Sequence, residues 1–150
     1  MRAVIQRVAG AAVTIAGDRV AEIVGPGLLV LVGVTHSDSP EQARRLANKI
    51  HGLRIFNAPP NDPGPREVSI GELALPVLVV SQFTLYGTTE KGRRPTWDLA
   101  APGAIAEPLV DVLVAELRVL GLTVATGRFG ADMAVSLTND GPMTLIVEVS

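Results

Sequence analysis

The side chains that could do chemistry gather in one part of the chain. Ser81-Gln82-Phe83-Thr84-Leu85-Tyr86-Gly87 follows the apolar run Leu75 to Val80, and Lys91, Arg93 and Arg94 come soon after. A buried strand ending in polar groups beside a cationic loop suits a substrate that carries phosphate, because guanidinium forks match phosphate oxygens. The plainer reading is a strand end whose Ser and Thr cap a turn. What the sequence lacks narrows the chemistry. There is no cysteine, which excludes disulfides, thiolate zinc sites and a Cys nucleophile. The only histidines are His36 and His51, and with scattered carboxylates they make no metal-ligand spacing. A serine esterase pairing Ser81 with His36 is one alternative, but no G-x-S-x-G turn surrounds Ser81. Gly87 to Gly92 imitates a phosphate loop, yet Arg93 and Arg94 stand where Lys and Ser/Thr are required. A site made of these residues acts through backbone N–H groups, hydroxyls and positioning. One oxyanion donor contributes about 10²–10³ in rate, and orientation contributes more.

The frame that positions these groups is a single domain of 150 residues. At 47% hydrophobic the chain can build a real core, and with 3% aromatics that core must be aliphatic. The net charge of −2 argues against non-specific coating of nucleic acid but leaves room for a local basic patch that meets one end of an RNA. No apolar run approaches the ~18 residues of a membrane span, and the first residues lack a signal peptide's apolar core. A cytoplasmic protein without membrane association is the expectation.

Alternation of apolar and polar residues predicts strands. Arg2 to Val8 places Ala3, Ile5 and Arg7 on one face, Val13 and Ile15 continue the pattern, and Gly17-Asp18 turns the chain into Val20 to Ile23. Gly25-Pro26-Gly27 predicts a second turn, and the almost wholly apolar Leu28 to Val34 a central strand covered on both faces. Ser39-Pro40-Glu41-Gln42 is a helix start with a capping box. Ala43, Leu46, Ala47 and Ile50 then share one face, and Gly52 stops the helix. Leu53 to Phe56 is a short strand, Asn57 to Pro65 a Pro-rich loop, Val77 to Thr84 a strand and Glu90 to Trp97 a basic loop. A second helix runs from about Ala104 to Leu120 with Pro108 awkwardly inside it. Leu122 to Ala125, Met133 to Leu137 and Met143 to Val149 complete the strands, the last two joined by Thr138-Asn139-Asp140-Gly141-Pro142. About eight strands and two main helices predict an α+β fold with largely antiparallel sheets, barrel- or roll-like.

Ser81-Gln82-Phe83-Thr84-Leu85 and Asn139-Asp140-Gly141-Pro142-Met143-Thr144 resemble the paired motifs of the D-aminoacyl-tRNA deacylases, also called D-tyrosyl-tRNA(Tyr) deacylases. Met1 to Val8, Gly25 to Val34, Gly92-Arg93-Arg94-Pro95 and Gly127 to Met133 resemble the family at matching places. Thr96-Trp97 and Met143 depart from its usual residues, as does the Pro-rich loop. The resemblance implies hydrolysis of the ester between a D-amino acid and the terminal adenosine of tRNA, in a homodimer with two interface sites and no metal or cofactor. It implies Ser81, Gln82, Phe83 and Thr84 as the site floor; from the residues themselves, the N–H groups of Gln82 and Phe83 are then expected to hold the oxyanion. Gly141-Pro142, with a cis peptide, would project from the partner subunit, its orientation helped by Arg7. Asn139 and Met133 belong to the same substrate-binding set, and Lys91, Arg93 and Arg94 would meet the tRNA. The rival to both enzyme readings is a non-catalytic, RNA-binding β-rich dimer.

Overall fold

A computed structural model of the chain describes residues 1–90 and 92–150. A five-stranded sheet in the order β6-β5-β2-β1-β7 carries the fold, with a two-stranded sheet, β3-β4, beside it. The long strands β1 (Arg2–Ile15) and β2 (Asp18–Gly33) form the expected hairpin, turning at Ala16 and Gly17, both at positive φ. The second expected turn is absent. Gly25-Pro26 is a bulge inside β2, where the register shifts from Gly10↔Val24 to Val8↔Gly27, and such an insertion bends a strand without ending it.

Helix α1 (Pro40–Gly52) begins as the sequence predicts. Ser39 caps it, the Gln42 side chain reaches back to the cap, and Ala43, Leu46, Ala47 and Ile50 are buried. The short strands β3 (Arg54–Asn57) and β4 (Glu67–Ser69) flank the Pro-rich loop, and α2 (Ile70–Leu73) adds a single turn. Strand β5 (Val77–Ser81) then pairs with β2 in parallel, and β6 (Val124–Thr126) pairs with β5 in parallel, after the crossover helix α3 (Gly103–Val119). The α+β class stands, but only two of the sheet's four pairings are antiparallel. Long helical connections place strands side by side in the same direction, whereas short turns reverse them. Pro108 lies inside α3, which continues past it.

Strand β7 (Ala134–Glu148) forms the other edge, antiparallel to β1. The two strands expected there are one strand. Val8 pairs with Asn139 and Gln6 with Thr144, so Arg7 alone faces the four residues Asp140 to Met143. The Gly-Pro pair sits in this outward bulge rather than in a reversal.

One face of the sheet, through Ala3, Ile5, Leu28, Val30, Val32, Val77 and Val79, packs against α1 and α3. The other face, through Leu29, Leu78 and Val80, packs against Val8, Ala11, Val13 and Ile23 from the bent half of the hairpin. This rolled sheet encloses β2 and β5 from both sides, which accounts for their unbroken apolar runs.

Candidate active site

Strands β2 and β5 run parallel, and their pairing ends at Val32 and Ser81. The ends of parallel strands are where a crossover fold leaves a crevice. Here a cavity of about 480 Å³ opens, within the ~300–1,000 Å³ of small-molecule sites. Its floor is Ser81, Gln82 and Phe83; Ala106 and Val110 of α3 form a wall, and Phe129, Asp132 and Met133 close the far side. Met133 fits because residue 127 is glycine: a Cβ there would stand 2.6 Å from the Met133 sulfur.

The strand predicted to reach Thr84 stops at Ser81. The Gln82 N–H still donates to the Val32 carbonyl, at 2.7 Å, but β2 ends at Gly33 and offers no further partner. The chain then coils into a 3₁₀ turn, Phe83–Tyr86, whose C-terminal end is closed by the Gly87 N–H donating to the Thr84 carbonyl at 2.9 Å. Two consequences follow for the chemistry. The Gln82 N–H, expected to face an oxyanion, is occupied within the fold. The N–H groups of Phe83 and Thr84 meet no acceptor among the described residues. Thr84 is exposed, and its hydroxyl accepts a 2.6 Å hydrogen bond from the Gln82 side-chain amide. Arg2 holds the turn from the sheet side: its guanidinium donates to the Leu85 carbonyl at 2.7 Å and lies 5.0 Å from the centre of the Tyr86 ring. Burial pushes the Tyr86 phenol up to about 12, and the Asp38 carboxylate adds to this.

His36 is exposed, and its ring nitrogen Nε2 lies 3.0 Å from the Asp98 carbonyl. Among the described residues no hydrogen bond joins it to Ser81, so the esterase pairing is not assembled. No group of three or more His, Asp or Glu converges as a metal site among the described residues. Arg93 and Arg94 are exposed beyond the reciprocal Thr88–Thr96 backbone pair, which ties the base of their loop. Lys91 lies outside the described residues.

The other predicted group is assembled around Arg7. This side chain is buried, with 8% of the residue exposed. It donates to the Ile55 carbonyl at 2.5 Å, to the Asp140 carbonyl at 3.3 Å and to the Gly141 carbonyl at 3.4 Å, and pairs with the Asp140 carboxylate at 2.8 Å. Asn139 straps the bulge from its other end, its amide donating to the carbonyls of Arg7 and Met143 at 3.0 and 3.1 Å. Gly141-Pro142 is cis and exposed.

The fold does not bring these two groups together. Ser81 is level with Val32, Ala3 and Val147; the Arg7 row lies four residues further along β1, and β7 is three strand spacings from β5, with β2 and β1 between them. At about 4.8 Å per strand spacing and about 3.4 Å per residue, Ser81 and Gly141 are roughly 20 Å apart.

A sequence model of the D-Tyr-tRNA(Tyr) deacylases matches residues 4–148. The chain belongs to this family. Named relatives agree along their full length. The D-aminoacyl-tRNA deacylase of Streptomyces coelicolor is 60% identical over 99% of this chain and 100% of its own. That of Acidothermus cellulolyticus is 58% identical over 99% of each. Among solved structures, a c-Myc DNA unwinding element binding protein superposes with a TM-score of 0.89 at 35% identity, covering 100% of this chain and 99% of that one. A probable eukaryotic D-amino acid tRNA deacylase shares the fold, with a TM-score of 0.84 at 18% identity, covering 99% of this chain and 98% of that one.

Phe129, Trp97 and Asp132 line the cavity and are not among the site residues expected from the sequence. A signal was available for the first two: the chain has five aromatic residues, three Phe, one Trp and one Tyr, and three of them, Phe83, Trp97 and Phe129, line this one cavity.

Proposed function

We propose that this chain, a D-aminoacyl-tRNA deacylase by family, hydrolyses the ester of D-aminoacyl-tRNA and of glycyl-tRNA and spares L-aminoacyl-tRNA, without a metal. The observation that carries this reading is the bulge at Gly141-Pro142, exposed, rigidly strapped by Arg7 and Asn139, and roughly 20 Å from the Ser81 floor by strand spacing. An exposed backbone feature so firmly held makes sense if it acts outside its own chain. In a two-fold dimer each bulge would complete the partner's cavity, and both sites would be equivalent.

In the reaction a water oxygen adds to the ester carbonyl carbon. The charge that develops on the carbonyl oxygen is met by the N–H groups of Phe83 and Thr84, which the 3₁₀ turn leaves open. The intermediate then collapses with cleavage of the carbon–O3′ bond. The adjacent 2′-OH of the terminal ribose takes a proton from the attacking water and passes its own to the departing O3′, so no side-chain base is needed. Gln82 holds Thr84 and keeps the floor in place. Arg93 and Arg94, with Lys91, meet the acceptor-end phosphates.

Chirality is set by exclusion. In a D-ester the direction that an L side chain would take carries only hydrogen. Backbone at Gly141-Pro142 filling that direction rejects every L side chain, even a methyl, while its carbonyls accept hydrogen bonds from the α-ammonium. Glycine has hydrogen in both directions and passes. The test is deacylation of D-alanyl-, glycyl- and L-alanyl-tRNA by one enzyme preparation. The first two should be cleared and the third spared; glycyl-tRNA surviving where the D-alanyl ester is cleared would show that the pocket reads the D side chain. Assembly is tested by mixing two inactive variants, one altered at Phe83 and one at Pro142. Random pairing of shared sites restores about a quarter of wild-type activity, and no recovery would place the whole site in one chain.

A further inference from the structure

We propose that Trp97, with Phe83 set edge-on against it, is the stacking surface for the nucleotide that precedes the terminal adenosine. The proposal rests on the reading of the cavity as the site of that adenosine and its acyl group.

Both rings stand at the cavity rim with much of their surface in solvent, Phe83 at 56% and Trp97 at 43% exposure. Their centroids are 5.4 Å apart and their planes 78° from parallel, so each fixes the other's tilt while ring surface stays open. The backbone that carries Trp97 is anchored on both sides. Thr88 and Thr96 exchange N–H···O bonds of 2.9 and 3.0 Å, and the Ala100 N–H donates to the Trp97 carbonyl at 2.9 Å. The indole lies so close to Gly87 that a Cβ there would come within 2.6 Å of it. Exposed Arg93 and Arg94 lie four and three residues before it in the same loop.

A fixed, half-exposed aromatic beside a one-nucleoside cavity, with cations on its flank, has the make-up of a single-strand platform. Successive unpaired bases stack on such rings whatever their identity, and the phosphates between them meet the cations. The 3′ end of tRNA is single-stranded. Once its last base enters the cavity, the base before it stands at the rim, where Trp97 and Phe83 offer exposed ring surface.

The probes are a D-alanyl amide of 3′-amino-3′-deoxyadenosine and the dinucleotide in which cytidine precedes it, both resistant to hydrolysis. Calorimetry gives the ratio of their affinities for wild type, Trp97→Ala, Trp97→Phe and Gly87→Ala. Wild type should bind the dinucleotide about tenfold more tightly, with quenching of the protein's only tryptophan. Trp97→Ala should bring the ratio close to one, Trp97→Phe should keep most of it, and Gly87→Ala should lower it by displacing the indole. The ratio is the readout because a general loss of structure weakens both probes alike. A ratio that survives Trp97→Ala overturns the platform and assigns the gain to the added phosphate. A ratio that survives while Trp97→Ala turns dimers into monomers shows that a second copy of the chain covers the patch, and overturns it as well. Binding of the mononucleoside with no gain from cytidine overturns the platform alone, whereas failure of the mononucleoside to bind removes the cavity reading on which it stands.

Discussion

Replacing Arg7 by alanine tests whether the Gly141-Pro142 bulge is the stereochemical gate. The guanidinium holds three carbonyls and one carboxylate, from Ile55, Asp140 and Gly141. The bond to the Ile55 carbonyl is buried and charge-assisted, a kind that contributes about 1.5–3 kcal/mol. The Asp140 carboxylate is more than half exposed, at 56%, so that ion pair adds only about 0–1 kcal/mol. The bonds at 3.3 and 3.4 Å are longer than the usual N–H···O range and add little to stability. Arg7→Ala should therefore cost about 2–4 kcal/mol, which lowers the melting temperature of a domain this size by roughly 5–15 °C.

On the proposed reading the same long bonds matter more for activity than for stability, because they aim the Gly141 carbonyl. A displacement of about 1 Å at a positioning group can cost 10²-fold in rate. The expected result below the melting temperature is a fall of about 10²-fold in kcat/KM on D-alanyl-tRNA, together with measurable hydrolysis of L-alanyl-tRNA. Arg7→Lys should keep part of the stability but little of the discrimination, since a point charge cannot hold several carbonyls in one plane. The assay is deacylation of D- and L-alanyl-tRNA by each variant, beside a thermal melt. An Arg7→Ala protein that melts lower yet keeps the D/L ratio of wild type would show that the bulge does not set chirality.

Thr84→Ala should retain substantial activity, because no base adjoins that hydroxyl, while substrate ending in 2′-deoxyadenosine should react far more slowly; an acyl group trapped on Thr84 would reverse this. Arg94→Ala should weaken binding of many tRNAs alike and flatten the salt dependence by close to one released counterion, about 0.7 in the slope of log K against log salt for a single strand; a changed preference among tRNAs at constant slope would mean a base contact. Tyr86, raised when folded, contributes stability that is complete below the unfolded phenol value near 10 and is lost as pH rises towards the folded value of about 12. Melting temperature should fall over that window, and Tyr86→Phe should fall less steeply.

Local signals in the sequence were readable and long-range ones were not. The start of α1 was evident because Ser39 and Gln42 satisfy each other within one turn. Leu28 to Val34 read correctly as a strand buried on both faces, since only such a strand can be apolar throughout. Gly25-Pro26 read as a turn and Gly141-Pro142 as part of a connection between two strands, and both prove to be bulges within one strand. A Gly-Pro pair announces a break in pairing, but whether the chain reverses afterwards depends on the neighbour, here β1, with which β2 and β7 resume pairing. The end of β5 was placed three residues too far for the same reason, because nothing at Gln82 to Thr84 reports that β2 stops at Gly33. The parallel pairings were hidden because hairpin-like spacing hides the crossovers through α1 and α3. At the cavity, Ser81, Gln82 and Phe83 were legible as a polar strand end, but Trp97 read only as the end of a basic loop and Phe129 was given no place in the site, because nothing local reports that both rings face the same crevice.

The position of the bulge also bears on how two copies can meet. β7 is an edge strand, with its outer row of backbone groups unpaired in the sheet, and it carries Ile146 at 71% exposure. Such an edge invites another strand to add to it, and natural sheets interrupt the row to prevent this. Here the interruption is the outward step from Asn139 to Thr144, which leaves six residues of edge on one side and five on the other. Pro142 lies in the step and has no N–H to offer a ladder. Continuous strand addition along β7 is therefore blocked, and in the proposed dimer a second chain would dock on side chains and on the projecting bulge itself. The feature that would reach a neighbour's cavity thus also prevents β7 from being absorbed into a continuous intermolecular sheet, which would hold Gly141-Pro142 in the sheet plane and away from any site floor.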